Sequence, residues 1–213
     1  VADDIEFCDQ STEYDLVTAY GPNAEEIFKI LNLTCPPEKK VLQNEEITAF
    51  LDSRLKNKTY TLLVPKKNTI LENVHISFTD QSEIEDARIR SGLVAIPNEI
   101  GPDELPQEGG LEKECVDFQK GCYLGQEVMA RIHAMGKVRR QTLPVEFESS
   151  TPPILPTPIF HDQKKVGLLK SFIKGVHGYV GIAIIHENGI NALREGKIKM
   201  QGNTAKFKLY EPK

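Results

Sequence analysis

The sequence changes character near Gly136, and this change limits the folds that the chain can adopt. Up to that point, apolar residues recur at both helical and strand spacing, whereas beyond it they fall in short runs separated by turn residues. Closely spaced strands of this kind are typical of a small barrel or sandwich. We predict six strands there, at 141–147, 158–161, 165–173, 178–185, 192–200 and 205–210.

The first part of the chain has the pattern of an α/β unit. We predict a strand, a helix and two strands, followed by a short helix with a returning strand, at 15–21, 23–31, 46–51, 59–64 and 68–78. Pro22 precedes the first helix, at a position where its missing N–H costs nothing. This β-α-β-β-α-β order would be a ferredoxin-like unit.

Between these two parts we predict a helix and a loop. The helix covers 81–94 and ends near Gly92, and the loop covers 98–110, which contains two prolines and three glycines. The chain is therefore predicted to be an α+β protein of two domains. An α/β region would occupy 1–136 and a small C-terminal β-barrel 137–213.

Composition indicates a folded protein without membrane spans. Hydrophobic residues make up 39% of the 213 residues and charged residues 27%, which supplies a core without any long apolar run. The four cysteines are unevenly spaced and include no CxxC pair, so neither a disulfide framework nor a metal site is predicted. The first residues are acidic rather than arranged as a secretory leader. These features favour a reducing, cytoplasmic environment.

Charge is divided unevenly along the chain. Residues 1–28 hold eight acidic side chains and no lysine or arginine. Residues 120–140 balance to +4 in a chain of net charge −5, because Glu127 is opposed by five basic residues, Lys120, Arg131, Lys137, Arg139 and Arg140. A basic segment on an acidic protein indicates a local anion site. The alternative is a solvated helix end, where basic residues are favoured in any case.

Cys122 is the strongest candidate for a reactive group. It stands between Gly121 and Gly125, which allow a tight turn, and residues 125–133 have the apolar spacing of a helix. A thiol just ahead of a helix lies near unpaired N–H groups and the positive end of the helix dipole, which favours the thiolate. The alternative is a small buried apolar residue, as most free cysteines are.

The residues around Cys122 also carry a family resemblance. They form the motif Lys120-Gly121-Cys122-Tyr123-x-Gly125-Gln126-Glu127, which continues with Ala130-Arg131, Gly136 and Arg140. This series resembles the signature of the folate-binding YgfZ family, which is similar in fold to the glycine-cleavage T-protein, an aminomethyltransferase. The run 120–147 looks most like the branch that includes the mitochondrial iron–sulfur assembly factors. Because members of the family are typically longer, we expect the region 1–136 to lack its N-terminal part.

The resemblance implies a function and a site. Proteins of this family bind a reduced folate in a central cavity and support iron–sulfur enzymes, including those that modify tRNA. The implied cofactor is tetrahydrofolate or a derivative, and the implied partners are iron–sulfur enzymes or cluster carriers, with no membrane and no direct DNA contact. Cys122 would be the catalytic thiol, handling a one-carbon adduct or exchanging with a cluster or its carrier. The positions implied to bind folate are Lys120, Gly121, Tyr123, Gly125, Gln126, Glu127, Arg131 and Arg90.

Some of these positions have specific implied roles. Tyr123 offers a flat face to a pterin or aminobenzoyl ring, and Lys120 and Arg131 suit the glutamate carboxylates of a folate. Many relatives carry Arg-x-Glu-x-Gly in the preceding helix, where the Glu bonds the pterin, and here Arg90 stands in its place. Because a guanidinium cannot accept a hydrogen bond, we expect weak folate binding, another pose or a different anion.

Two other functions stay open on the sequence alone. A true aminomethyltransferase would need an acidic residue aimed at the one-carbon unit, and the thiol-centred signature argues against it. A structural or nucleic-acid-binding module could use the basic window, although Tyr123 is its only aromatic residue. His133 could face the same cavity as Cys122, and the more common alternative is a surface histidine with its own partner. Glu127 and Arg131, four apart, could pair on one helix face.

Overall fold

A computed structural model gives the fold of the chain. The residues that the structure describes are 6–52, 58–72, 74–200 and 205–211. The chain divides into two compact units, Val1–Asp80 and Gln81–Lys213. The domain boundary predicted at 136/137 stays a prediction, and it lies shortly before the first strand of the barrel, Arg140–Phe147.

The first unit is an antiparallel sheet packed against one helix. Its elements are β1 Tyr14–Tyr20, α1 Glu26–Ile30, β2 Val41–Gln43, β3 Thr48–Asp52 and β4 Thr59–Pro65. The strands lie in the order β1-β4-β3-β2. Phe28 of α1 meets Tyr60 of β4 edge to face, with ring centroids 4.9 Å apart, and both are buried beside Ile47 and Leu62. This contact holds the helix on the sheet.

The segment 68–78 differs from the prediction. The sequence predicts a short helix and a returning strand there, but the described residues form turns and irregular chain. The amide of Ile70 donates to the side chain of Asn68 at 2.9 Å, so a side-chain turn takes the place of a helical hydrogen bond. Ile70 and Leu71 still pack against the core of the first unit. With the unpredicted three-residue strand β2, the described order is β-α-β-β-β and not the ferredoxin-like β-α-β-β-α-β that the sequence predicts.

The second unit contains helices and a closed barrel. Its helices are α2 Gln81–Arg90, α3 Glu112–Cys115, α4 Gln126–Met135 and α5 Glu187–Arg194, with a 3-10 turn at Pro106–Gly109. Its strands are β5 Arg140–Phe147, β6 Thr157–His161, β7 Lys164–Gly175, β8 Gly178–His186, β9 Ile198–Met200 and β10 Lys206–Leu209. The barrel runs β10-β5-β8-β7-β6-β9 and closes where β9 pairs with β10. The predicted barrel is confirmed.

Alternation along the strands builds the barrel core. In β10, Phe207 is fully buried between the exposed Lys206 and Lys208. Its ring stacks on Phe147 of β5, with centroids 4.7 Å apart. Because successive side chains of a strand point to opposite faces, the same register that buries the aromatic rings places the lysines outside.

The strand predicted at 192–200 is only partly formed. Its first residues belong to α5, and the strand is limited to β9. The side chain of His186 accepts from the amide of Asn188 at 3.3 Å and caps the start of the helix. Leu193 is fully buried on the inner face of the helix. The cap and the buried face explain why a helix replaces the predicted strand.

Three further features of the described residues concern membrane-spanning helices, metal ligands and thiols. No helix among them combines the length and apolarity needed to cross a membrane. Within the same residues, no group of three histidine, cysteine or acidic side chains could hold a metal ion. All four cysteines carry free thiols, of which three are exposed and Cys35 is half-buried.

Candidate functional site

The loop 95–110, which precedes α3 and α4, is fastened by three carboxylates. The innermost is Glu99, which is fully buried and receives two hydrogen bonds from Arg88 of α2, at 3.0 and 3.1 Å. Glu99 also accepts from the amide of Ala95 at 2.6 Å. Burial alone would lower the pKa of Arg88, but hydrogen bonds to Glu85 and Glu99 outweigh it and raise that pKa.

The other two carboxylates join the loop to the barrel. Glu104 accepts from Lys170 of β7 at 3.0 Å and from the amide of Gly101 at 2.9 Å. Burial alone would raise the pKa of Glu104, but these two bonds outweigh it and hold the pKa below its usual value. Glu108 accepts two hydrogen bonds from Arg140 of β5, at 2.7 and 2.8 Å. The Arg140 guanidinium is therefore already paired with a carboxylate of the same chain.

Glycines in the left-handed conformation limit α4 at both ends. Gly125 precedes the helix with a φ of 86°, and Gly136 follows it with a φ of 63°. Such values strain any residue with a Cβ, so these turns require glycine. The Gly136 N–H donates to the carbonyls of Ile132 and His133 and closes the helix. The predicted helix and its turns are confirmed, although Gly121 does not adopt a positive φ.

Cys122 lies on the surface, three residues ahead of Gly125. Its exposure excludes the alternative of a small buried apolar residue. An exposed thiol can meet a partner protein or a small molecule directly, and its thiolate is the form that attacks or ligates. The position of Cys122 thus permits the predicted chemistry, and its catalytic role stays a prediction.

Tyr123 is held differently from its neighbours in the motif. The Nζ atom of Lys120 lies 5.0 Å from the centroid of the Tyr123 ring, which places the ammonium over one face of the ring. The Tyr123 hydroxyl is buried and has no hydrogen-bond partner among the described residues. The predicted stacking face is therefore partly covered by Lys120, while the hydroxyl retains an unused capacity to bond a ligand or a water molecule.

The acidic and basic residues of α4 are open to solvent. Glu127 and Arg131 are both exposed, and Gln126 is half-buried. Although Glu127 and Arg131 are four residues apart, no ion pair between them is found in the part of the chain that the structure describes. Both side chains are consequently available to an external partner.

Several apolar side chains next to Cys122 in the sequence and along α4 are exposed. Leu124 is fully exposed, and Val128 and Met135 keep 42% and 69% of their surface accessible. Val128, Arg131 and Met135 are three and four residues apart and share one face of α4. We define Cys122, Leu124, Val128, Arg131 and Met135 as the signature surface. Exposure, which the sequence does not reveal, is what distinguishes these apolar residues from core positions.

His133 has its own partners. Its Nδ1 lies 2.6 Å from an oxygen of Glu112 on α3, and its ring stacks on Phe118 with centroids 3.9 Å apart. This is the surface histidine with a partner that the sequence left as the more common alternative. His133 therefore joins α3 to α4.

Arg90 lies at a different place, on a cavity of about 850 Å³ beside the barrel. Its guanidinium donates to both oxygens of Asp86, at 2.6 and 2.9 Å, and to the carbonyl of Lys174 at 3.2 Å. Hydrogen bonding to Asp86 raises the pKa of Arg90. Tyr179 and Tyr210 also line this cavity. Among the described residues, the predicted folate positions at 120–131 do not line it.

The described residues do not fit folate as a single pocket. The predicted set divides between the exposed motif of residues 120–131 and the cavity at Arg90. Asp86 of α2 is already held by Arg90, and the carboxylates that line the Arg90 cavity, Glu146 and Glu148, belong to the barrel side and not to the motif. We therefore derive no chemical step through a folate.

Comparison with known proteins finds relatives that share one role in their names. No protein-family model matches the chain. The chain is similar to mitochondrial iron–sulfur cluster assembly factor IBA57 homologues, with 24% identity over 164 residues in Aspergillus fumigatus and 33% over 116 residues in Coccidioides immitis. These alignments cover 71% and 51% of the chain. The mitochondrial assembly factor IBA57 of Homo sapiens is 37% identical over 82 residues, or 38% of the chain.

The chain spans only part of these relatives. The alignments cover 36%, 26% and 23% of the three proteins, in the same order. Among solved structures, the aminomethyltransferase T of the glycine cleavage system from Bartonella henselae matches with a TM-score of 0.73 at 14% identity. That match covers 92% of the chain and 58% of the enzyme. The homologues of the chain are thus iron–sulfur cluster assembly factors, and its fold is that of the aminomethyltransferase. The predicted resemblance and fold class are confirmed.

Proposed function

We propose that the chain supports the assembly or repair of iron–sulfur proteins, with Cys122 as the reactive group of the signature surface. The observation that carries the proposal is the exposure of this thiol on a turn set by Gly125, beside exposed apolar side chains. The similarity to mitochondrial iron–sulfur cluster assembly factors supports the same role.

The signature surface suits contact with another protein. Leu124 lies just ahead of α4, Val128 and Met135 lie on one face of it, and all three expose apolar area, which is a feature of interaction sites. Arg131 on the same face of α4 and Lys120 ahead of the helix add positive charge, which favours a partner with an acidic surface. An iron–sulfur enzyme or a cluster carrier docked there would bring its cluster to Cys122, whose thiolate could ligate iron or exchange with another thiolate.

The finer parts of the proposal concern the clients and the compartment. We include enzymes that modify tRNA among the clients, as the YgfZ resemblance implies. The relatives are described as mitochondrial, which favours a mitochondrial location over the cytoplasmic one predicted from composition. Both compartments keep thiols reduced, so the chemistry proposed for Cys122 does not depend on the choice.

Rescue of a bacterial strain that lacks its own YgfZ-type protein tests the function. We expect the natural protein to restore an iron–sulfur-dependent tRNA modification, and Cys122→Ala to fail, because the variant lacks the only atom able to ligate or exchange at this position. Cys115→Ala is the matched control, since Cys115 is also exposed and lies on α3. Protein levels are compared by immunoblot.

Two outcomes contradict the proposal. Equal rescue by the natural protein and by Cys122→Ala would remove the thiol from the function. Failure of the natural protein at normal expression would remove the assembly role and leave the second candidate, a folate-dependent aminomethyl transfer, which the fold match favours. A glycine-dependent transfer assay then decides that candidate.

Folate binding is the remaining part of the proposal, and we expect it to be weak. Arg90 offers only donors where relatives have a carboxylate, so Arg90→Glu should bind 5-formyltetrahydrofolate more tightly than either the natural protein or Arg90→Ala. Isothermal titration calorimetry measures the three dissociation constants. Tighter binding by the natural protein than by Arg90→Glu would show that the guanidinium itself recognises the ligand.

A further inference from the structure

The outer face of the barrel carries lysines in direct register. Lys199 of β9 and Lys206 of β10 are paired residues of neighbouring antiparallel strands, and both side chains are exposed. Directly opposite side chains of this kind have Cβ atoms about 5 Å apart, where like charges repel. The register is imposed by the core, because Ile198 and Phe207, which also pair, are both fully buried.

This pair belongs to a row that crosses four strands. Lys199 also pairs with Phe160 of β6, and Phe160 in turn pairs with Lys165 of β7. The row therefore reads Lys165, Phe160, Lys199, Lys206 across adjacent strands, and we call it the lysine row. With strands about 4.8 Å apart, it is about 14 Å wide. A half-buried aromatic ring thus stands between exposed ammonium groups.

The lysine row has no ion-pair partner within the described part of the chain. Among the described residues, no carboxylate forms an ion pair with Lys165, Lys199 or Lys206. The neighbouring Lys197 is paired with Glu195 at 2.6 Å. Among the described residues, three exposed ammonium groups without an ion-pair partner therefore lie in one row, on a protein whose net charge is −5. Such an arrangement raises the local concentration of anions.

A cavity of about 1050 Å³ opens beside the row. The residues that line it include three lysines, one carboxylate and an aromatic ring: Lys197, Lys199, Lys206, Asp162 and Phe160, with His161 beside them. Phosphate groups suit the ammonium groups, and the ring of Phe160 offers a face on which a base can stack. We infer that this cavity and the lysine row bind a nucleoside phosphate, either as a free nucleotide or as a unit of single-stranded RNA.

The Phe160 ring favours a nucleoside phosphate over an acidic peptide as the ligand. Carboxylates of a peptide would satisfy the lysines but would leave the ring of Phe160 without a stacking partner, whereas every nucleobase supplies one. At about 14 Å the lysine row is three strand spacings wide, so its ammonium groups can contact more than one phosphate at once. None of these residues belongs to the signature surface, and the inference does not depend on the proposed function.

Fluorescence anisotropy with a labelled single-stranded RNA of about 12 nucleotides tests the inference. We expect saturable binding that weakens steeply between about 50 and 200 mM salt, and an affinity at least about tenfold lower for the Lys199→Glu/Lys206→Glu double variant. Lys67→Glu is the control, because Lys67 is an exposed lysine of the first unit. It should bind like the natural protein.

Competition identifies the source of the ligand. Displacement of the RNA by ATP at similar concentrations assigns the site to free nucleotides, and displacement only by unlabelled RNA assigns it to a nucleic acid chain. Phe160→Leu should weaken binding of the RNA but not of tripolyphosphate, because it removes the stacking surface alone. Binding that is absent in the natural protein, or unchanged in the double lysine variant with its circular dichroism intact, overturns the inference.

Discussion

Replacing Glu99 by alanine is expected to lower the free energy of unfolding of the second unit by about 3 to 5 kcal/mol. The Glu99 side chain is fully buried, and its partner Arg88 is only 13% exposed. Alanine would leave the guanidinium with an uncompensated share of its charge and the amide of Ala95 without its acceptor. This decrease in the free energy of unfolding should be larger than the decrease from breaking any exposed ion pair among the described residues.

Urea unfolding followed by circular dichroism measures this loss. Glu85→Ala is the matched control, because Glu85 pairs with the same Arg88 but is 43% exposed, so its removal should cost no more than about 1 kcal/mol. Similar losses for the two variants would show that burial of Glu99 does not set the strength of the pair.

The same variant bears on the proposed function. Glu99 fastens the loop 95–110 to α2, and the chain continues from that loop through α3 to Cys122. We therefore expect Glu99→Ala to reduce rescue of an iron–sulfur-dependent modification even at temperatures where the protein remains folded. The structural reason is a loosened loop ahead of α3 and of the segment that carries Cys122, not a lost contact with a partner.

The barrel could be predicted from the sequence because its signal is local. The alternation of apolar and polar residues in Ile198-Lys199-Met200 predicts both a strand and the face of that strand that is buried. The start of α5 could not be recognised in the same way, since its cap depends on the His186 side chain turning back to Asn188. In 68–78, likewise, the Asn68 side chain competes with a regular backbone pattern.

The carboxylates that fasten the loop 95–110 were not predictable. Glu99, Glu104 and Glu108 find partners 11, 66 and 32 residues away in the sequence, and no spacing rule links positions so far apart. On a sequence they resemble solvated acids in a loop. Their role appears only when folding brings Arg88 of α2 and the barrel residues Lys170 and Arg140 to them.

The same contrast between local signals and distant contacts applies to the candidate site. The motif around Cys122 is contiguous, so its turn, its helix and the thiol ahead of it could be predicted from neighbouring residues. Arg90 was grouped with that motif through the family resemblance, yet it is held by Asp86 at a separate cavity. The lysine row was missed because its register arises from barrel closure between β9 and β10.

The second large effect is the loss of stability that we expect from Phe207→Ala, which removes a ring from a strand at the closure of the barrel. Phe207 is fully buried, stacks on Phe147 and lies on β10, which pairs with both β5 and β9. Removing the ring leaves a cavity, so the free energy of unfolding should fall by about 3 to 5 kcal/mol. For a chain of this size the midpoint of thermal unfolding should fall by about 10 °C.

Lys208→Ala is the control on the same strand, because its side chain is exposed and its removal should change the free energy of unfolding by less than about 0.5 kcal/mol. Calorimetry of the two variants measures both shifts. Phe207→Ala should also change the position of Lys206 in the lysine row. The Phe207 ring fixes the register of β10, and a slip of one residue would turn Lys206 inward. RNA binding should therefore fall in this variant at temperatures below its unfolding transition. Stable binding with a weakened core would mean that β9 and β5 hold the register without the ring.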